Sequence, residues 1–237
     1  MSAVFVTGAS RGIGRAVALE CARRGDRVGL GWHTESAEPV RAETAGSLHR
    51  LDVCVFEEVE RAFGAFAEEA GSLDAVVVNA GIAVSGLLAT AEPADLRRLV
   101  ETNVLGPLHC ARAALPIMMR QRGGLLLFIG SVAASRPARG QAAYATSKAA
   151  VETLTRAIAV EYGRKGIRAI CVRPGAVDTE LLRSTRAIAG AEVLARIPLG
   201  RIASADEIAT TVVALLGANA SYVNGAVIDV DGGYAAG

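Results

Sequence analysis

The sequence predicts an α/β protein with one doubly wound domain, a parallel sheet of about seven strands covered by helices on both faces. Short apolar runs alternate with longer Ala-rich or amphipathic stretches, which is the order of βαβ units. Residues 75–78 and 125–129 are apolar throughout, as strands covered on both faces are. A glycine-rich turn follows the first run. Together these observations favour a three-layer domain.

The predicted elements begin with a strand at Ala3–Thr7 and a helix at Gly12–Arg24. Residues 180–204 have the weakest strand signal and form either a substrate-covering segment or an ordinary helical hairpin. No Pro/Gly-rich linker interrupts the chain, so residues 1–237 are expected to form one domain that carries both cofactor and substrate sites. The further predicted strands are Arg27–Gly31, Leu48–Asp52, Ala75–Asn79, Leu125–Ile129, Arg168–Arg173 and Val227–Val230.

The composition argues against nucleic-acid and membrane partners. Lys plus Arg number 25 against 24 Asp plus Glu, so a net charge of +1 gives no overall field that attracts polyanions. There is no basic leader and no apolar run of about 18 residues. The four cysteines form no CxxC pair, which indicates reduced thiols and no metal site. We therefore expect a cytoplasmic protein.

The turn after the first strand has the glycine spacing of a dinucleotide-binding Rossmann fold. Gly8, Gly12 and Gly14 permit a sharp turn, close approach of a pyrophosphate and tight packing of the first helix. That helix directs its first N–H groups towards the phosphates. A simple tight turn is the alternative interpretation. The other predicted contacts in this turn are Ser10, Arg11 and Ile13.

Residues 32–34 favour NADPH over NADH. In NAD-preferring sheets an acidic residue ends the second strand and binds the ribose hydroxyls, whereas here the strand runs into Trp32, His33 and Thr34. With no carboxylate there to repel a 2′-phosphate, Arg11 is expected to pair with it. His33 or Thr34 would add hydrogen bonds. The alternative is that Arg11 and His33 are ordinary solvated residues.

Tyr144 and Lys148 are the candidate proton-transfer groups. They lie four residues apart in a helical stretch, so their side chains share one face. An ammonium beside a phenol favours the phenolate and makes the phenol a better acid near neutral pH. Ser131 follows an apolar strand at its carboxyl end, where ligands bind, and can hold a substrate oxygen. Taken alone, Tyr144 and Lys148 could equally be an ordinary pair on a helix surface. Ser131, taken alone, could be a helix-cap or loop serine.

Jointly, these motifs resemble the short-chain dehydrogenase/reductase family over the whole chain. The resemblance implies a catalytic tetrad of Asn103, Ser131, Tyr144 and Lys148. Lys148 would also bind the nicotinamide ribose, and Asn103 would hold a relay water. The matching segments are residues 7–14, Asp52 with Val53, Asn79 to Gly81, Asn103, Ser131, Tyr144 with Lys148, and Pro174 through Thr179.

The resemblance also implies the remaining cofactor contacts. Asp52 and Val53 would touch the adenine, and Val177 and Thr179 would meet the carboxamide. One departure is Val78, because the family often has asparagine there. The further implied contacts are Asn79, Ala80, Gly81, Pro174 and Gly175.

Within the family, the chain is most similar to 3-oxoacyl-[acyl-carrier-protein] reductases of fatty-acid and polyketide synthesis. This similarity implies reduction of the C3 ketone of a carrier-bound 3-oxoacyl thioester with NADP(H). Arg122 and Lys165 stand where such reductases carry basic residues that meet the acidic carrier. We expect both to flank the mouth of the site; the alternative is ordinary solvated charges. The matching segments are residues 128–132, 140–145, 197–201, 220–225 and 230–233.

Other functions stay open. An NADP-dependent ketone reductase or alcohol dehydrogenase for a free sugar, polyol or secondary metabolite would use the same tetrad. A non-catalytic nucleotide-sensing protein is the opposing class, and the intact tetrad argues against it. The resemblance to tetrameric relatives leads us to expect a homotetramer in which helices around residues 99–118 and 149–162 pack against symmetry mates. The alternative is that the apolar faces of these helices are all internal.

Overall fold

A parallel sheet forms the middle layer of the protein, which we describe from a computed structural model covering residues 1–180 and 194–236. The strands are β1 (Ala3–Thr7), β2 (Arg27–Trp32), β3 (Ser47–Arg50), β4 (Ala75–Val78), β5 (Gly124–Ile129), β6 (Ile167–Pro174) and β7 (Val227–Val230). Within the described residues they form one sheet of seven strands in the order β3-β2-β1-β4-β5-β6-β7. The predicted doubly wound sheet is confirmed.

Helices cover both faces of the sheet. Phe5 of β1 packs against Phe63 and Phe66, with ring centroids 4.7 and 5.5 Å apart. Val4 and Val6 belong to the core of the opposite face. Because successive strand residues point to opposite faces, one buried strand supplies both cores. The α-helices that lie wholly within the described residues are α1 (Gly12–Arg23), α2 (Glu38–Thr44), α3 (Phe56–Ala70), α4 (Pro93–Val100), α5 (Gly106–Gln121), α6 (Ala142–Tyr162) and α7 (Ala205–Leu216).

The strand order reverses at β1, which pairs with both β2 and β4. In open parallel sheets a ligand crevice forms outside the carboxyl ends of the strands at such a switch point. The turn after β1 and the loop after β4 border this crevice, and β5 and β6 end on the same side. We call this side of the sheet the carboxyl edge and the other side the amino edge.

Two strands have the predicted bounds, β1 and β7, whereas β3 ends at Arg50 instead of Asp52. Asp52 leaves the sheet because its backbone N–H donates to Glu58 Oε2 at 2.8 Å. Its own Oδ1 accepts from the Cys54 N–H at 2.9 Å, which closes a turn before α3. Within the predicted covering segment, residues 181–193 lie outside the described residues.

The four cysteines are free thiols, as their spacing predicted. Cys21, Cys110 and Cys171 are buried, and burial raises the pKa of each thiol to about 12. Cys54 is half-buried, and burial raises the pKa of this thiol as well. Of the helices described, none combines the length and the apolar character needed to cross a bilayer.

Candidate active site

A cleft of about 210 Å³ opens at the carboxyl edge. Its walls come from the ends of β4, β5 and β6, from the start of α6 and from the residues after β6. Ile13 of the glycine-rich turn also lines the cleft, so this turn borders the same cavity as Tyr144 and Lys148. The predicted residues that line it are Ile13, Asn79, Gly81, Ser131, Tyr144, Lys148, Pro174, Gly175, Val177 and Thr179.

Tyr144 and Lys148 lie in α6 and both line the cleft. Lys148 is 7% exposed, and its Nζ donates to the carbonyl oxygen of Ile129 at 2.9 Å. The same Nζ lies 5.8 Å from the centroid of the Tyr144 ring. Because this ammonium is buried and held at the end of β5, water screens its charge from the phenol only weakly.

Ser131 lies where β5 gives way to a short 3-10 turn at Val132–Ala134. Its Oγ accepts from the Ala133 N–H at 3.2 Å, which leaves the hydroxyl hydrogen free to donate into the cleft. The residue before Ser131 is Gly130, and only glycine fits there because a Cβ would lie 2.7 Å from Cys171 Sγ of β6. Close packing of the two strands thus fixes the position of Ser131.

Asn103 is buried between α4 and α5, in a π turn that spans Glu101–Leu105. Its Oδ1 accepts from the Ile82 N–H at 2.9 Å, and its Nδ2 donates to the Ile82 carbonyl at 2.8 Å. Nδ2 also donates to Ser147 Oγ at 3.1 Å, and that hydroxyl donates to the Tyr144 carbonyl at 2.7 Å. Such π turns are frequent at functional sites. Sequence reasoning missed Ser147, which ties Asn103 to α6.

Gly81 separates Asn103 from the open cleft. A Cβ on Gly81 would lie 3.2 Å from Asn103 Oδ1 and 3.6 Å from Lys148 Nζ. Any side chain at this position would fill the space between the amide and the ammonium. Glycine therefore keeps a small passage between these two polar groups.

The turn between β1 and α1 has the shape of a phosphate cradle. Gly8 and Gly12 have φ angles of +66° and +55°, values that favour glycine. A Cβ on Gly14 would lie 2.2 Å from the Gly8 carbonyl oxygen. Arg11 gives α1 no side-chain cap, and the first turn of the helix holds no acidic residue. The free N–H groups and the positive end of the helix dipole fit the pyrophosphate of a dinucleotide.

Asn79 braces this turn from the end of β4. Its Nδ2 donates to the carbonyl oxygens of Thr7 and Gly8 at 3.0 and 3.1 Å. Thr7 Oγ1 in turn accepts from the N–H groups of Asn79 and Ala80 at 3.0 and 3.1 Å. These bonds tie the ends of the two central strands together across the switch point. Val78 is buried in the sheet.

Two carboxylates that sequence reasoning missed lie beside Arg11. Arg11 forms an ion pair with Glu180, and its Nε lies 3.6 Å from Glu35 Oε2. The chain folds back here because Ser10 Oγ donates to the Glu35 carbonyl oxygen. As expected, β2 ends at Trp32 without a carboxylate, but Glu35 in the loop that follows brings one beside Arg11. The acidic residue comes just after β2 instead of at its last position.

The predicted adenosine contacts are divided between the surface and the core. His33 Nε2 lies 3.6 Å from Asp52 Oδ2, so these two residues are neighbours. Thr34 is exposed. Val53 is 7% exposed and packs against Gly106, where a Cβ would lie 2.9 Å from Val53 Cγ2.

Arg122 and Lys165 do not flank the cleft. Arg122 lies between α5 and β5, and Lys165 ends the 3-10 turn Gly163–Lys165 just before β6. Both strands are parallel, so the two cations lie at the amino edge. The cleft lies at the carboxyl edge, roughly 20 Å away along β5 at about 3.3 Å per residue. The expectation that they border the mouth is wrong.

Arg136 is a cleft residue that sequence reasoning missed. It lines the cavity together with Gln141 and Tyr234. It lies in the loop between the 3-10 turn after Ser131 and the start of α6. The sequence could have indicated this role, because Arg136 comes shortly after a strand that ends at the carboxyl edge, where ligands bind.

A phosphate cradle that opens into the same cleft as a tyrosine and a buried ammonium is typical of oxidoreductases that use a nicotinamide cofactor. Comparison with family models narrows this class. Residues 8–235 match the model described as enoyl-(acyl carrier protein) reductase. The chain belongs to this family of short-chain dehydrogenases/reductases.

Curated relatives match nearly the full chain. The 3-oxoacyl-[acyl-carrier-protein] reductase FabG of Pseudomonas aeruginosa is 38% identical and covers 97% of this chain and 95% of its own. The cis-4-hydroxycyclohexanecarboxylate dehydrogenase of Sinomonas cyclohexanicum is 37% identical and covers 98% of this chain and 95% of its own. The chain is therefore similar to reductases of carrier-bound acyl groups and to a dehydrogenase named for a free acid.

Solved structures agree in fold. ElxO with NADP bound has a TM-score of 0.92 and 28% identity, covering 99% of this chain and 98% of its own. A 3-ketoacyl-(acyl-carrier-protein) reductase from Brucella melitensis complexed with NADH also has a TM-score of 0.92, with 29% identity and coverage of 98% and 97%. These neighbours support a nicotinamide cofactor without deciding between its two forms.

Proposed function

We propose that this oxidoreductase uses NADPH to reduce the C3 ketone of a 3-oxoacyl thioester to the 3-hydroxyacyl thioester. The observation that carries the proposal is the cleft that holds Ser131, Tyr144 and the buried Lys148 ammonium beside the phosphate cradle. The similarity to a 3-oxoacyl-[acyl-carrier-protein] reductase supports a thioester as the substrate. Fatty-acid or polyketide synthesis in the cytoplasm is the corresponding setting.

In this mechanism the protein supplies positioning and a proton. Ser131 Oγ donates a hydrogen bond to the ketone oxygen, and the Tyr144 hydroxyl transfers its proton to that oxygen as negative charge develops there. The Lys148 ammonium stabilises the resulting phenolate. Asn103, behind Gly81, orients a water that returns a proton through Lys148. The bound cofactor supplies the hydride.

The same residues hold the cofactor in this proposal. The pyrophosphate binds to the turn with Gly8, Gly12 and Gly14, with Ser10 and Ile13 beside it. Lys148 binds the nicotinamide ribose, and Val177 and Thr179 meet the carboxamide. Asn79, Ala80, Gly81, Pro174 and Gly175 line the path between these ends. Asp52 and Val53 border the adenine.

NADPH is proposed over NADH because Arg11 stands at the adenosine end of the cradle, with His33 and Thr34 near it. A guanidinium forms two hydrogen bonds with a phosphate, which favours the 2′-phosphate form. In the structure, the Arg11 guanidinium pairs with Glu35 and Glu180. These ion pairs are solvent-exposed and therefore weak, so a phosphate dianion displaces them at modest cost.

The alternative substrate is a free ketone or alcohol, and a specific observation favours it. The cis-4-hydroxycyclohexanecarboxylate dehydrogenase matches as well as the carrier-dependent reductases do. Carrier docking at Arg122 and Lys165 would also bring the carrier to the amino edge of the same chain, away from its cleft. A homotetramer through α5 and α6 is the proposed assembly.

A substrate panel tests the proposal. Turnover with NADPH is compared for acetoacetyl groups on acyl carrier protein, coenzyme A and N-acetylcysteamine, and for free cyclic and linear ketones. We expect kcat/KM for carrier- and coenzyme-linked thioesters to exceed that for free ketones by about tenfold or more. A free ketone that surpasses every thioester would establish the alternative instead.

A further inference from the structure

The charges that line the cleft are all positive in the part of the chain that the structure describes. Among the described residues, the charged ones that line the cavity are Lys148 and Arg136, and none is Asp or Glu. Lys148 lies deep, bonded to the Ile129 carbonyl. Arg136 is exposed and follows β5, whereas the phosphate cradle follows β1, and β4 lies between these two strands in the sheet. Its charge is therefore not accounted for by the cofactor phosphates.

Arg136 is held at its backbone but not at its guanidinium. Its N–H donates to the Val132 carbonyl at 2.9 Å, so the residue follows directly from the turn that begins at Ser131. Gln141 Oε1 accepts from the Ala138 N–H at 3.0 Å and pins the other end of the loop. Among residues 1–180 and 194–236, the structure gives the guanidinium no hydrogen bond or ion pair.

A second cavity adjoins the first and contains another arginine. Arg136 and Tyr234 line both cavities, and Arg196 and Pro198 line the second. The segment around Pro198 is fixed in place because the Leu199 N–H donates to the Gly232 carbonyl at 3.1 Å. Two arginines and a phenol thus border two neighbouring cavities, the first of which is also lined by Tyr144.

We propose that Arg136 binds an anionic group of the substrate, with Tyr234 and Arg196 at the outer side of the same subsite. The ligand class is a ketone that carries a carboxylate, sulfonate or phosphate. A planar guanidinium binds such groups through two charge-assisted hydrogen bonds, and the described residues that line the pocket include no carboxylate to oppose them. This inference rests on the proposed ketone reduction and names its substrate class.

Two sources of the anion share this chemistry. One is a free oxo acid, and the other is the phosphate of a phosphopantetheine arm that carries the acyl group. Matched pairs separate them: acetoacetate against acetoacetamide, and S-acetoacetyl phosphopantetheine against S-acetoacetyl pantetheine. The pair with the larger charge preference identifies the source.

The test measures kcat/KM with NADPH for each pair in the wild type and in Arg136→Gln, Arg136→Lys and Arg139→Gln. We expect one anionic ketone to be preferred over its neutral partner by about 10- to 100-fold, the value of a charge-assisted hydrogen bond. Arg136→Gln should abolish that preference and change the neutral partner less than threefold. Arg136→Lys should keep part of it. Arg139 is exposed in the same loop, does not line the cleft and serves as the control.

The outcomes separate this inference from the proposed function. Equal turnover of both members in each pair, or an equal loss for both in Arg136→Gln, would overturn the subsite while reduction itself stands. If no ketone is reduced although NADPH binds, the proposed function is wrong. Calorimetry with the NADP-loaded protein then still decides the subsite, by comparing 3-hydroxybutyrate with 3-hydroxybutyramide and S-3-hydroxybutyryl phosphopantetheine with S-3-hydroxybutyryl pantetheine. Equal binding of the two members in both pairs would overturn it.

Discussion

The two sides of the cleft are built by different means. The cofactor side depends on backbone shape, since Gly8 and Gly12 need positive φ and Gly14 has no room for a Cβ. The substrate side depends on individual side chains, such as Ser131 at a strand end and Arg136 in a loop. Backbone shape allows few sequences, whereas loop side chains vary without harm to the fold. The first side therefore defines the class of enzyme, and the second defines the substrate.

The largest effect is expected from a change on the substrate side that leaves the backbone intact. Tyr144→Phe removes the proton donor, so kcat should fall by about 10³-fold, within the usual range for acid–base groups. NADPH binding, followed by fluorescence titration, should change less than threefold. Tyr162→Phe, at the other end of α6, is the matched control and should keep wild-type turnover. Activity near normal in Tyr144→Phe would refute the proton-transfer role.

A single methyl group tests the cofactor side. Gly14→Ala places a Cβ against the Gly8 carbonyl, so the turn must open and NADPH binding should weaken by about 100-fold or more. Gly64→Ala in α3 is the control, because a Cβ there meets nothing within 4 Å. We expect Gly64→Ala to raise the thermal midpoint slightly, as alanine stabilises helices relative to glycine. Equal cofactor affinity in Gly14→Ala and the wild type would show that the turn is not the phosphate site.

The smallest effect on cofactor binding is expected from a change to Arg11, the side chain that we propose contacts the 2′-phosphate. Arg11→Met should weaken NADPH binding by about fivefold and NADH binding less than twofold, because the lost contact is with the 2′-phosphate and is solvent-exposed. Isothermal titration with both cofactors measures this. Arg15→Met removes a neighbouring guanidinium that pairs with Glu43 and should leave the NADPH-to-NADH ratio unchanged. If both cofactors weaken equally in Arg11→Met, Arg11 does not discriminate between them.

Sequence reasoning succeeded where geometry follows from regular structure. Apolar runs gave the strands, and the rule that ligands bind at carboxyl ends placed Ser131 beside Tyr144 and Lys148. The same rule, applied to Arg122 and Lys165, would have assigned them to the amino edge because each comes directly before a strand. Their assignment to the mouth came from the family resemblance and not from the topology.

Other features had no signal in the periodicity. Glu35 approaches Arg11 through a loop whose path depends on a hydrogen bond from Ser10. Arg136 belongs to an irregular loop in which spacing does not define direction. Asn103 was expected from the resemblance. The π turn that carries it contains one extra residue in a helix, which no sequence pattern predicts. The hydrogen bond from Asn103 to Ser147 was therefore not predicted either.

The buried thiols have a consequence for handling and labelling the enzyme. Thiolates, and not thiols, react with peroxides and alkylating reagents. With pKa values raised to about 12, Cys21, Cys110 and Cys171 stay protonated and inaccessible at neutral pH. Cys54, half-buried and bonded through its backbone to Asp52, is the accessible thiol. A maleimide dye at moderately alkaline pH would therefore mark one position, two residues after Asp52.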